Sequence, residues 1–479
     1  MPAEATGTRT GAERVRRGAA GGVSSSAPPG LLLLLACGAM FLVVLDATIV
    51  SVALPAIGAE LGLAGGALGW VVNAYTLTFA GFLLLGGRLA DLYGTRAVLV
   101  SGLAVFTLAN LWSGAAGDPA QLVVARAVQG VGGALLMPAT LTVVHQAYAD
   151  PVRRTRALGL WSMVGAVGAA AGTVAGGILT DALGWRWVFW VKVPVGLAVA
   201  LGGWAVLPRR APGAGSGPRR PVDVVGALLV TAGLAALVYG VVTVRTPGAL
   251  GTALGALAGA VVLLAVFVLH QGRWTRSPLM PLRIFTYRAV SSANVVIFGL
   301  GVAYLASPVL LALYLQRILR YSPTQAGFAF LPAAFAVMLG AQAAGRLTPR
   351  WGPRRAAVAG TAVTAAGFLW LALADAHSAF VPDIALPSVV FGLGAGFTFT
   401  PLTVAATGGV DPSLTGLASG LLNTTRQVAT ALGIALLSTL ADGVGGAGGY
   451  QLAFLVSGAT VALSSLTALL WMPRHTGSA

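Results

Sequence analysis

Apolar residues run in long unbroken stretches along most of the chain, not in the i, i+3, i+4 stripes of a water-soluble helix. A membrane core about 30 Å thick is crossed by about 20 helical residues rising 1.5 Å each. Stretches of that size fall near 31–57, 67–89, 97–116, 119–146, 157–180 and 187–207, then near 222–244 and 249–270. A last group falls near 289–316, 325–345, 356–374, 382–408, 413–440 and 448–472. The pattern predicts an all-α polytopic membrane protein with fourteen transmembrane helices. The first stretch follows Arg14, Arg16 and Arg17, as the core of a signal peptide does. It is longer than the about 7 to 15 residues of such a core, and Asp46 interrupts it without a cleavage site. It is read as an uncleaved first helix.

The polar positions carry a second pattern. On this count 22 arginines lie in loops on the side of the N-terminus and four, Arg186, Arg245, Arg317 and Arg320, on the other. Arg126, Lys192 and Arg426 lie within helices. Cations concentrate on the cytoplasmic side of a membrane protein, so both termini are expected in the cytoplasm. The string Gly87-Arg88-Leu89 … Tyr93-Gly94-Thr95-Arg96 returns 258 residues later as Gly345-Arg346-Leu347 … Trp351-Gly352-Pro353-Arg354. A looser echo relates Met137-Pro138 to Thr400-Pro401. The expected organisation is two pseudo-symmetric six-helix bundles plus two extra linking helices. In order, it is a disordered cytoplasmic N-terminus (1–29), the first bundle (30–207), a cytoplasmic linker (208–221), the extra pair (222–270), a cytoplasmic loop (271–288), the second bundle (289–472) and a cytoplasmic tail (473–479). Duplicated bundles of this kind move substrates by rocking about a midplane site, which a channel does not require.

Composition narrows the function. Hydrophobic residues make up 57% and charged residues 9%, against roughly 25% charged in globular proteins. With a mean hydropathy of +0.86, a water-soluble multidomain enzyme is excluded. The net charge of +16 belongs to the loops of a membrane protein, so no nucleic-acid partner is expected. Lys192 is the only lysine, and no phosphate-binding loop surrounds it, so the chain carries no ATP-hydrolysing module. The single Cys37 excludes an internal disulfide. His145, His270, His377 and His475 are scattered without ligand spacing, so neither a metal nor a cofactor is expected. No clustered catalytic set or sizeable soluble domain supports an enzyme or a receptor.

Four strings carry a family resemblance. They are Leu45-Asp46-Ala47-Thr48-Ile49-Val50 with Ala53-Leu54-Pro55 in the first helix, the Gly87–Arg96 turn, Arg126-Ala127-Val128-Gln129-Gly130-Val131-Gly132 in the fourth helix, and Leu422-Asn423-Thr424-Thr425-Arg426-Gln427 in the thirteenth. In this order and on these helices the chain resembles the major facilitator superfamily, specifically its fourteen-helix drug/proton antiporter branch. The resemblance covers nearly the whole chain from about residue 31. Three departures stand out. The fifth-helix antiporter string reads Gly172-Thr173-Val174-Ala175-Gly176-Gly177, with Thr173 where the branch has proline. Leu92 and Thr95 replace basic residues of the turn, and Lys192 replaces an asparagine.

By this count Asp46 is the only acid well inside a helix. An ionised, unpaired carboxylate there costs several kcal/mol, so its proton depends on its surroundings, as proton coupling requires. Asp46 lies about 22 Å from one membrane face and Arg126 about 10 Å from the other, so their depths match in a core of about 30 Å. The pair either tracks protonation or stands as a static ion pair. Asn423 and Gln427 share a helix face, with Arg426 beside it, about 20 Å deep in the second bundle. They either face substrate or join helices by hydrogen bonds. Gln129, Lys192, Tyr75, Trp161 and Tyr304 complete the candidate substrate-binding set, although aromatics of this kind also serve as lipid-facing belts. Beside Trp187 and Trp190, Lys192 is expected to reach back to the membrane interface. If it faces the cavity instead, one acid stands against three bases, a balance that favours neutral or anionic cargo. The resemblance implies that Gly87, Asp91, Gly94 and Arg96 form a conformational lock between the bundles. The alternative for Asp91 is a solvated loop acid. The glycine spacing Gly165, Gly168, Gly172, Gly176 permits close helix packing.

The expected function is proton-coupled efflux of hydrophobic drugs or antibiotics across a bacterial cell membrane by a monomer, with the lipid bilayer, protons and a small molecule as partners. Each proton crossing 100 mV supplies about 2.3 kcal/mol. The alternative is a proton symporter or facilitator of a small metabolite. High Ala, Gly and Arg usage with almost no Lys suggests a GC-rich actinobacterial source, and with it a self-made antibiotic as cargo.

Overall fold

The computed structural model describes residues 28–473 except 64–65, 149, 209–222, 245–247, 276–277, 409 and 411–413. The expected N-terminal segment, linker and tail therefore fall almost wholly outside the described residues. Those described form helices joined by short turns: α1 (Pro29–Leu61), α2 (Gly66–Tyr93), α3 (Thr95–Ala115), α4 (Pro119–Ala147), α5 (Pro151–Leu183), α6 (Trp187–Val206), α7 (Val224–Thr243), α8 (Leu250–Trp274), α9 (Arg288–Ile318), α10 (Pro323–Trp351), α11 (Pro353–Leu371), α12 (Phe380–Gly408), α13 (Thr415–Val444) and α14 (Gly446–Trp471). Twelve of these are long and apolar enough to cross a membrane, against the fourteen expected. The two that fall short are α2, whose apolar stretch is Ala67–Leu83, and α11, which opens on Pro353-Arg354-Arg355.

Helix boundaries follow from local chemistry. Asp118 and Asp150 each precede a proline and accept a hydrogen bond from the backbone N–H three residues on, at 2.9 and 2.8 Å, so α4 and α5 start with the same cap. Ser322 and Gln325 cap α10 reciprocally. The sequence repeat is also a repeat of backbone shape. Gly94 between α2 and α3 has φ +89°, and Gly352 between α10 and α11 has φ +79°, a region in which side chains are strained. Pro138 inside α4 likewise corresponds to Pro401 inside α12.

The two halves pack alike. In the first, α1 lies on α5 and α4 holds α2 and α3; in the second, α9 lies on α13 and α12 holds α10 and α11. Helix α7 sits against α2 and α13 through an apolar seam of Leu77, Leu234, Val238, Ala431 and Ala435, and α8 packs on α7. The halves meet most closely toward the face opposite the chain ends. There the largest apolar cluster joins Leu45–Ile57 of α1 to α9, α10 and α13. Gln316 Nε2 donates to Val52 O at 2.9 Å, and Thr324 N–H donates to Asp181 Oδ2 at 2.8 Å. Backbones touch there as well: a Cβ on Gly177 would stand 2.4 Å from Pro323 O, and one on Gly327 would stand 2.5 Å from Thr173 O. Toward the face of the chain ends, each half instead keeps its own apolar clusters.

Candidate functional site: a buried charge cluster

Four helices converge on Asp46, which is fully buried at mid-length in α1. Arg126 and Gln129, one turn apart on α4, both reach it. Arg126 NH1 donates to Asp46 Oδ2 at 2.7 Å, and Gln129 Nε2 donates to Oδ1 at 2.8 Å. Arg126 also donates to Gln129 Oε1 at 2.6 Å and, through Nε, to Val71 O of α2 at 2.9 Å. Lys192 of α6 completes the cluster by donating to Asp46 Oδ1. The aromatic lining suits two cations: the Arg126 guanidinium lies 4.5 Å from the Tyr75 ring centroid, and Lys192 Nζ lies 4.9 Å from that of Phe189. A buried carboxylate with one cation is neutral; with two, the site holds a net charge of +1.

Lys192 thus departs from the expectation of an interfacial ammonium. It is 2% exposed and turned inward, away from the exposed Trp187. Residue counting sets depth along a helix but not which way a side chain faces, and the carboxylate across the helix interface outweighs the nearby water. Gln129 and Tyr75, expected among substrate contacts, are drawn into the same cluster. Trp161 is not: it is buried in the first half's core, and its indole N–H finds no partner among the described residues.

A second polar group lies in the other half. Arg426 NH2 donates to Asn423 Oδ1 at 2.5 Å, and its guanidinium stands 5.8 Å from the Phe399 ring centroid. Tyr304 packs edge-on against Phe391 and tilted against Phe399, each at 6.1 Å, and lies on a π-turn, Gly301–Leu305, that interrupts α9. Such widened turns often mark functional sites. Arg426, Asn423 and Gln427 are all half-buried. Arg426 pairs with no carboxylate among the described residues, and its Nε has no hydrogen-bond partner among them. Beside it, Thr425 donates to Asn294 Oδ1 at 2.7 Å and so ties α13 to α9.

At the Gly87–Arg96 turn, Gly94 supplies the positive φ and the Arg96 guanidinium lies 5.6 Å from the Trp204 ring centroid, within the first half. Gly87 lies beside Pro138 of α4. The side chain of Asp91 lies outside what the structure describes. Sequence reading missed the contacts that join the halves, since nothing near Gln316, Asp181 or Gly327 marks them out. It also passed over Phe189, whose one signal was the run of aromatics before Lys192.

Comparison with known proteins places this arrangement. The family model described as Major Facilitator Superfamily matches residues 36–434, and the chain belongs to that superfamily of membrane transporters. It is 42% identical over 424 residues to the cephamycin export protein of Amycolatopsis lactamdurans, covering 88% of this chain and 86% of that one. It is 37% identical over 417 residues to the puromycin resistance protein of Streptomyces alboniger, covering 86% and 82%. Among solved structures, a peptide transporter superposes with a TM-score of 0.70 at 16% identity, covering 95% of this chain and 97% of that one. A D-xylose–proton symporter superposes with a TM-score of 0.68 at 14% identity, covering 95% and 100%. These two show the shared fold.

Proposed function

We propose that this transporter exports hydrophobic, antibiotic-like molecules from a bacterial cell in exchange for protons, by alternating access. The observation that carries the reading is Asp46: a fully buried carboxylate, held by cations from two other helices, on the helix that also lies against the second half. A carboxylate so placed ties proton occupancy to helix position, because any change in the charge of its cluster releases or recruits α4 and α6 together. The similarity to a cephamycin export protein and a puromycin resistance protein supports the cargo class. In this reading Asp46 is the carboxylate on which coupling depends, and Arg126 is its structural partner. Arg426, Asn423, Gln427 and Tyr304 line the cargo path, and the Gly87–Arg96 turn, with Asp91, locks the halves.

All fourteen helices cross the membrane, α2 and α11 included, because the polar residues within them, Asn73 and Thr76 of α2 and Thr361 and Thr364 of α11, are buried. The chain ends lie in the cytoplasm, as the arginine count favours. The tight contacts between halves then seal the outer side, and the structure is an inward-facing state of a monomer in the bacterial cell membrane. The test uses inverted membrane vesicles with an imposed pH gradient and puromycin, a cephamycin and a lipophilic dye cation as probes. The wild type is expected to dissipate the gradient with at least one probe, and Asp46→Asn with none. Equal responses from both proteins would make Asp46 a structural residue and remove the mechanism.

A further inference from the structure

Asp46 is bracketed by two cations where one would neutralise it. Asp46, Arg126 and Lys192 are 0%, 1% and 2% exposed, so their charges sum to +1 in a space closed to water. The groups that face Lys192 enter this sum. Asp46 comes from α1, Arg126 from α4, and beyond Arg126 stands the uncharged Tyr75 phenol of α2. Arg96, the charged residue of α3, is held at the far end of α6 against Trp204, and Asp181 of α5 is turned to Thr324.

Three proton movements can be compared. Arginine does not release its proton in proteins. A proton added to Asp46 leaves two buried cations with no counter-ion. A proton removed from Lys192 leaves Asp46 and Arg126 as a neutral pair, with Gln129 still bonded to both. The last movement leaves the least uncompensated charge. We propose that the exchanged proton rides on Lys192, with Asp46 as its fixed counter-ion. This rests on the reading of the cluster as the coupling site and names the atom that carries the proton.

The step is a simple acid–base exchange. Lys192 lies six residues beyond Arg186, about 9 Å along a helix from the face opposite the chain ends. When the cluster opens to that face, a hydronium ion gives its proton to the lone pair of the Nζ amine and leaves as water, and the ammonium so formed takes its place on Asp46. When the cluster opens to the other face, an N–H bond breaks, the proton passes to water and the amine keeps the electron pair. The cluster thereby falls from +1 to neutral. A cationic cargo prefers the neutral state, so its arrival and proton departure favour one another, which is the sign that exchange requires.

Lys192 is the only lysine of the chain, so lysine labelled with ¹⁵N at Nζ gives one signal that needs no assignment. With the full-length protein in lipid nanodiscs, a neutral-amine signal is expected to grow at the expense of the ammonium signal between pH 6 and pH 9. An ammonium signal alone across that range overturns the proposal. In inverted vesicles with puromycin as probe, Lys192→Arg, which keeps the charge but holds its proton, is expected to lower probe-driven proton flux about 100-fold, the scale of losing a proton-transfer group. Lys192→Asn is expected to abolish that flux. If Lys192→Asn keeps it while Asp46→Asn abolishes it, the proton belongs to Asp46 and this inference fails with the exchanger intact. If Asp46→Asn keeps it, the exchanger reading itself fails.

Discussion

The two halves of this transporter share a helix arrangement and differ in what they hold at its centre. In the first half, both oxygens of Asp46 are engaged by Arg126, Gln129 and Lys192, and the cluster is sealed from water. In the second, Arg426 is half-buried beside Asn423, Phe399 and Tyr304, with no acid partner among the described residues. One centre is chemically complete and the other is open. A complete ion cluster is suited to gating a proton, whereas an unpaired guanidinium against an aromatic wall has bonding capacity left for a guest. The repeated bundle supplies one scaffold, and a few side chains make its two centres different.

That contrast is most sharply tested by Arg126→Ala. Asp46 keeps Lys192 as its counter-ion, but the charged hydrogen bonds of Arg126 to Asp46, Gln129 and Val71 are lost, at about 1.5 to 3 kcal/mol each. A large drop in the melting temperature of the detergent-solubilised protein is expected, and a shift of only a degree or two would mean that the cluster is not a tight centre. Next in size is Gly177→Ala, which tests the seam between the halves. Its Cβ would stand 2.4 Å from Pro323 O, and overpacking of that kind costs about 1 to 3 kcal/mol. Because the clash exists only while this seam is closed, the equilibrium should shift toward the state open on the face opposite the chain ends. Labelling of a cysteine introduced into that seam should rise by about tenfold, whereas unchanged labelling would count against rocking between the halves.

Arg426→Gln is the mirror experiment in the second half. Since Arg426 has no acid to abandon among the described residues, stability should change by less than about 1 kcal/mol. The KM for an exported probe should rise by about tenfold through loss of a charged hydrogen-bond donor. A stability loss as large as that of Arg126→Ala would erase the distinction between the two centres.

The smallest effect concerns the extra helix pair. Asp223 caps α7 by accepting from Gly226 N–H at 2.8 Å, and it is bonded by Gln271 at 2.6 Å and His270 at 2.8 Å from the end of α8. Burial pushes its carboxyl up, but the hydrogen bonds from Gly226, Gln271 and His270 outweigh burial and hold it below the usual carboxylate range. A carboxyl so lowered stabilises the fold above the unfolded-chain value near about 4 and loses that contribution as the pH falls through its own lowered value. Asp223→Asn keeps a capping oxygen but loses the charged acceptor for Gln271 and His270, and should therefore cost about 1 kcal/mol at neutral pH. The gap to wild type should close only below about pH 4, as followed by thermal melts. A gap that widens on acidification would contradict the assigned hydrogen bonding.

Much of this architecture was legible along the chain because membrane helices are written in local terms. Apolar length sets a span, proline and aspartate set its start, and glycine sets its end. The duplicated Gly94 and Gly352 turns could be matched before their shared positive φ was known. Asp46 and Arg126 were legible for the same reason: a charge inside an apolar run is conspicuous, and depth follows from counting residues. Lys192 was not. Its position near the end of a span fits an interfacial ammonium as well as a buried one, and the choice depends on the carboxylate that α1 presents to it. The glycines of α5 were readable as a packing stripe, and a Cβ on Gly176 would stand 2.6 Å from Ile49 O of α1. That Gly177 of the same string instead meets Pro323 in the other half was beyond reach, because spacing along one helix does not identify its partner.

The sequence by itself determined a helical membrane protein, its internal repeat, its superfamily and the one acid most deeply committed to the membrane. Each of these follows from the order of residues along a helix and from the cost of placing charge in an apolar medium. Tertiary structure alone decided that two cations share that acid, that Arg426 meets none among the described residues, and that the halves close on one face. Those outcomes depend on the rotation of each helix about its axis and on which neighbour it meets, and both are settled only when all the helices pack together.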